Sequence, residues 1–333
     1  MAKEDLLEVE DLCVEYWTDS AKLRAVDRVS FSLRPGETLG LAGESGSGKS
    51  TLAQSILRIL NPPGVITGGR LLYKGADILE MDEEALRHFR WREVSMVFQS
   101  AMNALNPVMT IGDQIADTLA AHAKEPLSRT ATESKARELL SRVGIDPDRI
   151  RSYPHQLSGG MRQRVVIAIA LALSPKLIIL DEPTTALDVV VQREILQEIL
   201  SLQKSLGFAV LFITHDLPLM LQVCDRVGIL YGGRLAEIGP AEILKNRAQH
   251  PYTQGLMTAF PSLHGRHNDL SGIDGPPLNL ATLPSGCRFH PRCPKVMEAC
   301  SKFQPDEIRC GDGHRARCHL LTQTQLQSNA MIE

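Results

Sequence analysis

The run Gly43-Glu44-Ser45-Gly46-Ser47-Gly48-Lys49-Ser50 fits the pattern GxxxxGK[ST], in which glycines let backbone N–H groups converge on phosphate oxygens without Cβ obstruction. In that pattern Lys49 reaches the β- and γ-phosphates of a nucleotide and Ser50 gives its hydroxyl to Mg²⁺. Gly43, Ser45, Gly46, Gly48 and Thr51 complete the candidate cradle, and the positive end of the following helix adds to it. Downstream, Leu177-Ile178-Ile179-Leu180-Asp181-Glu182 delivers two carboxylates at the end of an apolar run. Asp181 suits the Mg²⁺ shell. Glu182 suits a group that accepts a proton from, or orients, the water attacking a γ-phosphate. Ser158-Gly159-Gly160-Met161 precedes the apolar run beginning at Val165, which places Ser158 and the two glycines at a helix N-terminus with donors pointing outward. One γ-phosphate has no use for two such donor sets in one protomer, unless the second faces the nucleotide of a partner.

These groups need elements to position them. Residues 37–42 read as a short buried strand and residues 51–57 as a helix, the strand, loop, helix setting that a phosphate loop requires. Alternating runs such as Val29-Ser30-Phe31-Ser32-Leu33 make residues 7–42 strand-rich, and residues 68–75 and 94–98 read as further strands. From Met109 to about Val143 the apolar spacing turns helical, with Ile111, Ile115 and Leu119 on one face and Ala136, Leu139, Leu140 and Val143 on another, so a helical insertion is expected over about 100–165. Strand-like runs return at 177–180, 209–213 and 226–231 with helices between them, the rhythm of a mainly parallel α/β sheet. The stretch 261–286 is rich in Pro, Gly and polar residues, which places a domain boundary near residue 260, and residues 321–333 read as a polar, frayed end.

Composition narrows the function classes. A chain of 333 residues with 43% hydrophobic content can bury a sizeable core, and a net charge of −3 gives no general pull toward nucleic acid. The longest apolar run, Val165–Leu173, is far short of the ~20 residues needed to cross a bilayer, and the N-terminus lacks the features of a signal peptide. The chain is therefore expected to stay in the cytosol.

Over residues 7 to about 260 this set of motifs resembles the nucleotide-binding subunit of ATP-binding cassette (ABC) transporters. The resemblance implies a RecA-like core, an antiparallel β subdomain and a helical subdomain, followed by a small irregular C-terminal extension from 261 to 333. It implies that the phosphate loop of one subunit faces the Leu157-Ser158-Gly159-Gly160 signature of another, with ATP sandwiched between. In the same family terms, Tyr16 matches the aromatic that stacks on adenine, with Trp17 beside it as the alternative. Gln99 matches the glutamine that contacts Mg²⁺ and senses the membrane partner, Asp188 the interface aspartate, and His215 the switch histidine on the γ-phosphate. Lys49, Glu182 and His215 are then the catalytic set, and Ser50, Gln99 and Asp181 the Mg²⁺ set.

Leu105-Asn106-Pro107, Tyr153-Pro154-His155-Gln156-Leu157 and His250-Pro251-Tyr252-Thr253 resemble the dipeptide/oligopeptide import subfamily, which also serves nickel, glutathione and some oligosaccharides. Ser100 departs from it, since an acidic residue often follows the glutamine. The subfamily implies peripheral attachment at the cytoplasmic face of the inner membrane, two transmembrane permease subunits, a second related ATPase subunit in a heterodimer, and an extracytoplasmic solute-binding protein. A soluble ABC ATPase acting on nucleic acid or ribosomes is the rival, but it would normally carry a long coiled-coil insertion or a second cassette.

Five of the seven cysteines crowd the C-terminal region. In a reducing compartment such a group favours metal over disulfides. Similar extensions in the subfamily hold a [4Fe–4S] cluster, which implies Cys287, Cys293, Cys300 and Cys318 as ligands, with Cys310 as an extra thiol. Zinc, with His290, His314 and His319 nearby, or plain structural thiols are the alternatives.

Overall fold

Strands open the chain where β-branched and apolar residues alternate, and helices follow where the apolar spacing lengthens. The computed structural model describes residues 5–322 apart from 20, 100–103, 124, 184–187, 259–271 and 312, so the expected boundary near 260, Ser100 and nearly all of the polar end lie outside the described residues. In chain order the elements begin β1 (Leu7–Trp17), β2 (Lys22–Leu33), β3 (Thr38–Ala42), α1 (Lys49–Ile56), β4 (Gly64–Tyr73), β5 (Ala76–Asp77), α2 (Glu83–Arg92) and β6 (Val94–Val97). They continue with α3 (Ile111–Ala121), α4 (Arg129–Arg142), α5 (Gly159–Ala170), β7 (Leu177–Asp181), α6 (Val189–Leu206), β8 (Ala209–Ile213), α7 (Leu217–Val223), β9 (Arg226–Tyr231) and β10 (Arg234–Pro240). The last are α8 (Ala241–Arg247), α9 (Pro251–Thr258), α10 (Glu298–Lys302), β11 (Ile308–Gly311) and β12 (His314–Ala316). Among the described residues no helix is long and apolar enough to cross a membrane.

The chain divides into two compact units. One is formed chiefly by residues 80–212 and contains the helical insertion. Each of its helices α2 to α6 starts at an Asp, Ser or Thr whose side chain accepts a backbone N–H of the first turn: Asp82, Thr110, Ser128, Ser158 and Asp188. Such caps satisfy donors that the helix itself leaves open. Ile111, Ile115 and Leu119 are buried along α3, and Ala136, Leu139 and Leu140 along α4, the faces that the sequence spacing predicts. Strand neighbours in this unit run β8-β7-β6, with β6 and β7 parallel and Val97 opposite Leu180. All residues of β7 and β8 are buried, as expected of strands covered on both faces.

The other unit holds residues 6–32, 38–79 and 213–333. It carries an antiparallel sheet in the order β2-β1-β4-β5 and the strand neighbours β11-β12-β10-β9-β3, in which β3 and β9 are parallel. Here the structure departs from the sequence reading. Part of the C-terminal extension is a regular hairpin, β11 and β12, rather than an irregular module, and β12 adds to the edge of β10 with Glu237 opposite Ala316 and Ile238 opposite Arg315. The short strands and the glycines around the turn hid that hairpin from a periodicity argument.

Charge pairing inside this unit ties the extension to the first strands. Asp27 on β2 is 1% exposed at its side chain and pairs with Arg234 of β10 at 2.7 Å, with Arg24 at 3.4 Å, and with Arg288 of the extension. Burial alone would raise the Asp27 carboxyl. The hydrogen bond from Arg234 and the charges of Arg288, Arg234 and Arg24 outweigh it and hold the group below its ordinary value. Arg288 has the opposite balance: burial pushes it down to about 10, and Arg234 and Arg24 add like charge while Asp27 opposes them. One carboxylate thus serves these three guanidinium groups and, at 3.8 Å, that of the exposed Arg28, and its loss would leave a buried surplus of positive charge. We expect Asp27→Asn, which keeps the side-chain shape, to cost about 3–5 kcal/mol of stability in denaturant titration. A change below about 1 kcal/mol would mean that these arginines are adequately solvated without it.

Candidate phosphate site

The phosphate loop leaves β3 at Gly43 and enters α1 at Lys49. Gly43 has φ 148° and Gly48 φ 101°, and a Cβ at either position would come 2.2 Å from a backbone oxygen, Leu230 O and Ala25 O respectively. No L side chain fits there, which gives the glycine spacing its physical reason. Ser45 and Gly46 are exposed at the loop tip, whereas Ser47, Gly48 and Lys49 are buried. The Lys49 ammonium donates to Gly43 O at 2.7 Å, Glu44 O at 2.9 Å and Ser47 Oγ at 3.3 Å, so it lies within the curl of the loop. Tyr16 on β1 shares a 3.1 Å hydrogen bond with Thr51 in the first turn of α1, which brings the expected adenine-stacking aromatic to the loop. Trp17 is exposed and faces Lys22, whose ammonium lies 4.4 Å from its ring. His215 is exposed just after β8, followed by Asp216, which caps α7 through Leu219 N–H.

In the helical unit the parallel register explains a second contact. Val97 stands opposite Leu180, so the residues two beyond each, Gln99 and Glu182, emerge side by side. Gln99 Nε2 donates to Glu182 Oε2 at 2.9 Å. Asp181 just before is 3% exposed, and Glu182 adopts φ 46°, a left-handed conformation that is rare for a residue with a side chain. Backbone strain of this kind, held by a buried strand, is a mark of functional positions. Ser158 accepts the Met161 N–H at 3.3 Å at the start of α5, and a Cβ on Gly160 would meet Val191 at 3.0 Å. Asp188 accepts the Val191 N–H at 3.0 Å. The signature and the interface aspartate are therefore neighbours through Val191, a contact that the motif spacing did not reveal. Asp181 and Ser50 have the oxygen donors that Mg²⁺ requires.

The His250-Pro251-Tyr252-Thr253 motif has a structural role. Glu237 of β10 is buried, and its carboxylate accepts Gln249 N–H at 2.6 Å, His250 N–H at 3.0 Å and His314 Nε2 of the extension at 2.8 Å. Burial opposes its charge, but these hydrogen bonds, that of His314 foremost, hold it below the ordinary carboxylate value. His250 Nδ1 accepts the Tyr252 N–H at 3.0 Å, and the Tyr252 hydroxyl accepts the Glu44 N–H of the phosphate loop at 3.0 Å. The Glu44 carboxylate meets Arg292 of the extension in a fork of 2.8 and 3.0 Å. Glu44, Tyr252 and Arg292 are site residues that motif reading missed. Only the position of Glu44 inside the loop could have signalled them.

All described cysteines are free. Burial first, and then the charges of Cys287, Cys293 and Cys300, push the Cys318 thiol up to about 11, so these four lie within electrostatic reach of one another. Cys310 is raised by burial and by Glu237 instead, which sets it apart. Among the described residues no group of three or more His, Cys, Asp or Glu side chains is assembled to hold a metal ion. The expectation of a [4Fe–4S] cluster or zinc is not met by this arrangement. Burial raises the thiols of Cys287, Cys293 and Cys318, and a metal would hold its ligands as thiolates.

Residues 26–185 match the ABC transporter family, and residues 236–300 match the oligopeptide/dipeptide transporter C-terminal region. The chain is 43% identical over 323 residues to the dipeptide transport ATP-binding protein DppD of Bacillus subtilis, covering 96% of each chain. It is 41% identical to the oligopeptide transport ATP-binding protein OppD of the same organism, over 95% of this chain and 89% of that one. A solved dimer of the ATP-binding cassette MJ0796, in a post-hydrolysis state bound to ADP and Pi, superposes with a TM-score of 0.63 at 27% identity, covering 71% of this chain and 98% of that one.

Burial pushes His250 down to about 4, with only the Glu237 charge opposing, so the folded protein holds it neutral. An unfolded chain protonates this histidine near pH 6.5 and the folded one does not, so stability is full above that pH and falls as pH drops toward 4. The expected loss by pH 4 is up to ~3 kcal/mol. Denaturant titrations between pH 7 and 4 (the range set by these values) check it: His250→Asn, whose amide oxygen can still accept the Tyr252 N–H, should flatten the slope, and an unchanged slope would assign it to other groups.

Proposed function

The chain belongs to the ABC transporter family, and from that premise we propose that it is the ATP-hydrolysing subunit of an importer for dipeptides or oligopeptides. The observation that carries the reading is the pairing of Gln99 with a strained Glu182 at the ends of two parallel strands, in a chain that also has an intact phosphate loop and serine-capped signature. Similarity to peptide-transport ATPases along nearly the whole chain supports the peptide substrate class over nickel, glutathione or oligosaccharides. It likewise favours transport over action on nucleic acid or ribosomes.

In this reading Lys49 and the loop N–H groups hold the β- and γ-phosphates, and Tyr16 stacks on the base. Ser50, Gln99 and Asp181 would hold Mg²⁺, which when bound would supply charge neutralisation on the phosphates. Glu182 takes the proton of the attacking water or orients it, and His215 bonds the γ-phosphate. Ser158, Gly159, Gly160 and Asp188 face the nucleotide of a second, related ATPase. Gln99 is the sensor because its side-chain amide can bond either Glu182 or the metal shell, so nucleotide state alters the segment that follows it. Close to Gln99 in sequence, Phe98, Leu105 and Met109 line, with Val166 and Ile169, a cleft of about 350 Å³, in which Phe98 is 41% exposed. This cleft is the proposed seat for a permease segment, with the chain peripheral on the cytoplasmic face of the membrane. Two permease subunits and an extracytoplasmic binding protein complete the assembly.

The donor chemistry of Cys287, Cys293, Cys300 and Cys318 fits a [4Fe–4S] cluster, and these four would hold it if the thiols deprotonate and close in. Support comes from their mutual electrostatic influence and the separate position of Cys310.

The test of the ATPase reading is Glu182→Gln: nucleotide binding is expected to persist while hydrolysis falls by roughly 10²–10³-fold. Wild-type turnover in that variant would sink the assignment of Glu182. For the cysteines, anaerobic purification with iron, sulfide and zinc analysis should find about four irons per chain, and Cys293→Ser should lose them. Zinc alone, or no metal, would remove the iron–sulfur proposal and leave the ATPase reading standing.

A further inference from the structure

Within the phosphate loop, Glu44 is the one residue that carries a charge of the same sign as the ligand. Its carboxylate lies in a loop meant for a polyanion, where an unpaired negative charge repels phosphate. Arg292 meets it with both ends of the guanidinium, Nη1 to Oε2 at 2.8 Å and Nη2 to Oε1 at 3.0 Å, and the arginine side chain is only 8% exposed. The remaining donors are committed as well. Nε donates to Asp274 O at 3.0 Å, Nη2 also to Ile273 O at 3.3 Å, and Nη1 reaches the Tyr231 hydroxyl at 3.5 Å. The guanidinium is thus held by the backbone of the extension before it meets Glu44, so little rotamer freedom is lost in making the fork. The Glu44 N–H is bound to Tyr252 and its carbonyl to Lys49. Tyr252 and Arg292 therefore grip the loop through its backbone and its charge together.

We propose that Arg292 is a positioning residue for nucleotide binding: it neutralises Glu44 and fixes the phosphate loop in a shape that accepts a polyphosphate, making the cysteine-bearing extension part of the ATP site. The inference rests on the reading of that site as an ATP site. Arg292 immediately precedes Cys293, so this side chain links the cysteine-bearing segment directly to the loop. A role confined to docking the extension would leave nucleotide affinity unchanged when Arg292 is replaced. That difference separates the two.

The test is titration of the full chain with MgADP. Arg292→Met is expected to weaken binding about tenfold, equivalent to ~1.4 kcal/mol. In a Glu44→Gln background the same Arg292→Met change should alter affinity less than about twofold, because the repulsion it exposes is gone. Arg292→Lys keeps the charge but not the fork and should fall between, about threefold weaker than wild type. If Arg292→Met does not melt cooperatively, the lysine variant in both backgrounds carries the test. Wild-type affinity in the Arg292 variants, or a loss of the same size when Glu44 is Gln, overturns the proposal. A wild-type chain that binds no MgADP would instead overturn the ATP-site reading.

Discussion

Backbone packed against backbone at Gly43 and Gly48 holds the phosphate loop, and the rest of the nucleotide machinery depends on that contact. A loop that binds phosphate with its own N–H groups cannot spend those groups on holding itself in place. Its shape must come from outside. Here it comes from the carbonyls of Ala25 and Leu230, which leave no room for a Cβ, from the Ser47 carbonyl accepting Gly233 N–H at 3.0 Å, and from the Tyr252 hydroxyl. The elements that supply these contacts are β2, β9, the turn after β9, and α9, so the loop is a product of the whole unit that contains it.

Buried charge organises that unit around the same loop. Asp27 and Glu237 are almost fully buried; Asp27 is satisfied by Arg24, Arg234 and, from the extension, Arg288, and Glu237 by Gln249, His250 and, from the extension, His314. Such networks add little net stability compared with apolar packing, but each broken member leaves an unpaired charge in a dry place. Their effect is to make the position of the extension specific. An apolar cluster of Tyr231, Tyr252 and Phe289, with ring centroids 4.5 to 5.3 Å apart, fills the space between the two networks. The extension therefore reaches the loop from a fixed base.

Chemistry in the helical unit follows from strand register. Parallel neighbours β6 and β7 end level with each other, which sets Gln99 beside Glu182, and the left-handed backbone at Glu182 aims its carboxylate there at an energetic cost of about 1–3 kcal/mol. Fully buried strands tolerate this strain because they have no lower-energy way to end. The start of α5, at Gly160, and the aspartate cap of α6 converge on Val191, so these groups are placed by helix starts, the positions where polar side chains and open N–H groups are needed anyway.

The settings of Lys49, Ser50, Ser158, Asp181 and Glu182 were legible in the sequence because they depend on local backbone: a glycine-rich turn, a capped helix, a buried strand with polar residues at its end. The α3 and α4 faces were legible for the same reason, since helical periodicity is written over a dozen residues. The β11–β12 hairpin was not, because strands of three and four residues carry too few alternations to register. Nor was the fork between Glu44 and Arg292, 248 residues apart, or the three arginines on Asp27. An Arg or a Glu in a sequence is most often a solvated surface group. What makes these charges consequential is burial beside one another, and burial is a property of the assembled chain. The sequence by itself determined the glycine-rich loop, the capped helix starts and the acidic end of a buried strand; the tertiary structure decided what holds them still, because the contacts that do so join segments with no local signal of their pairing.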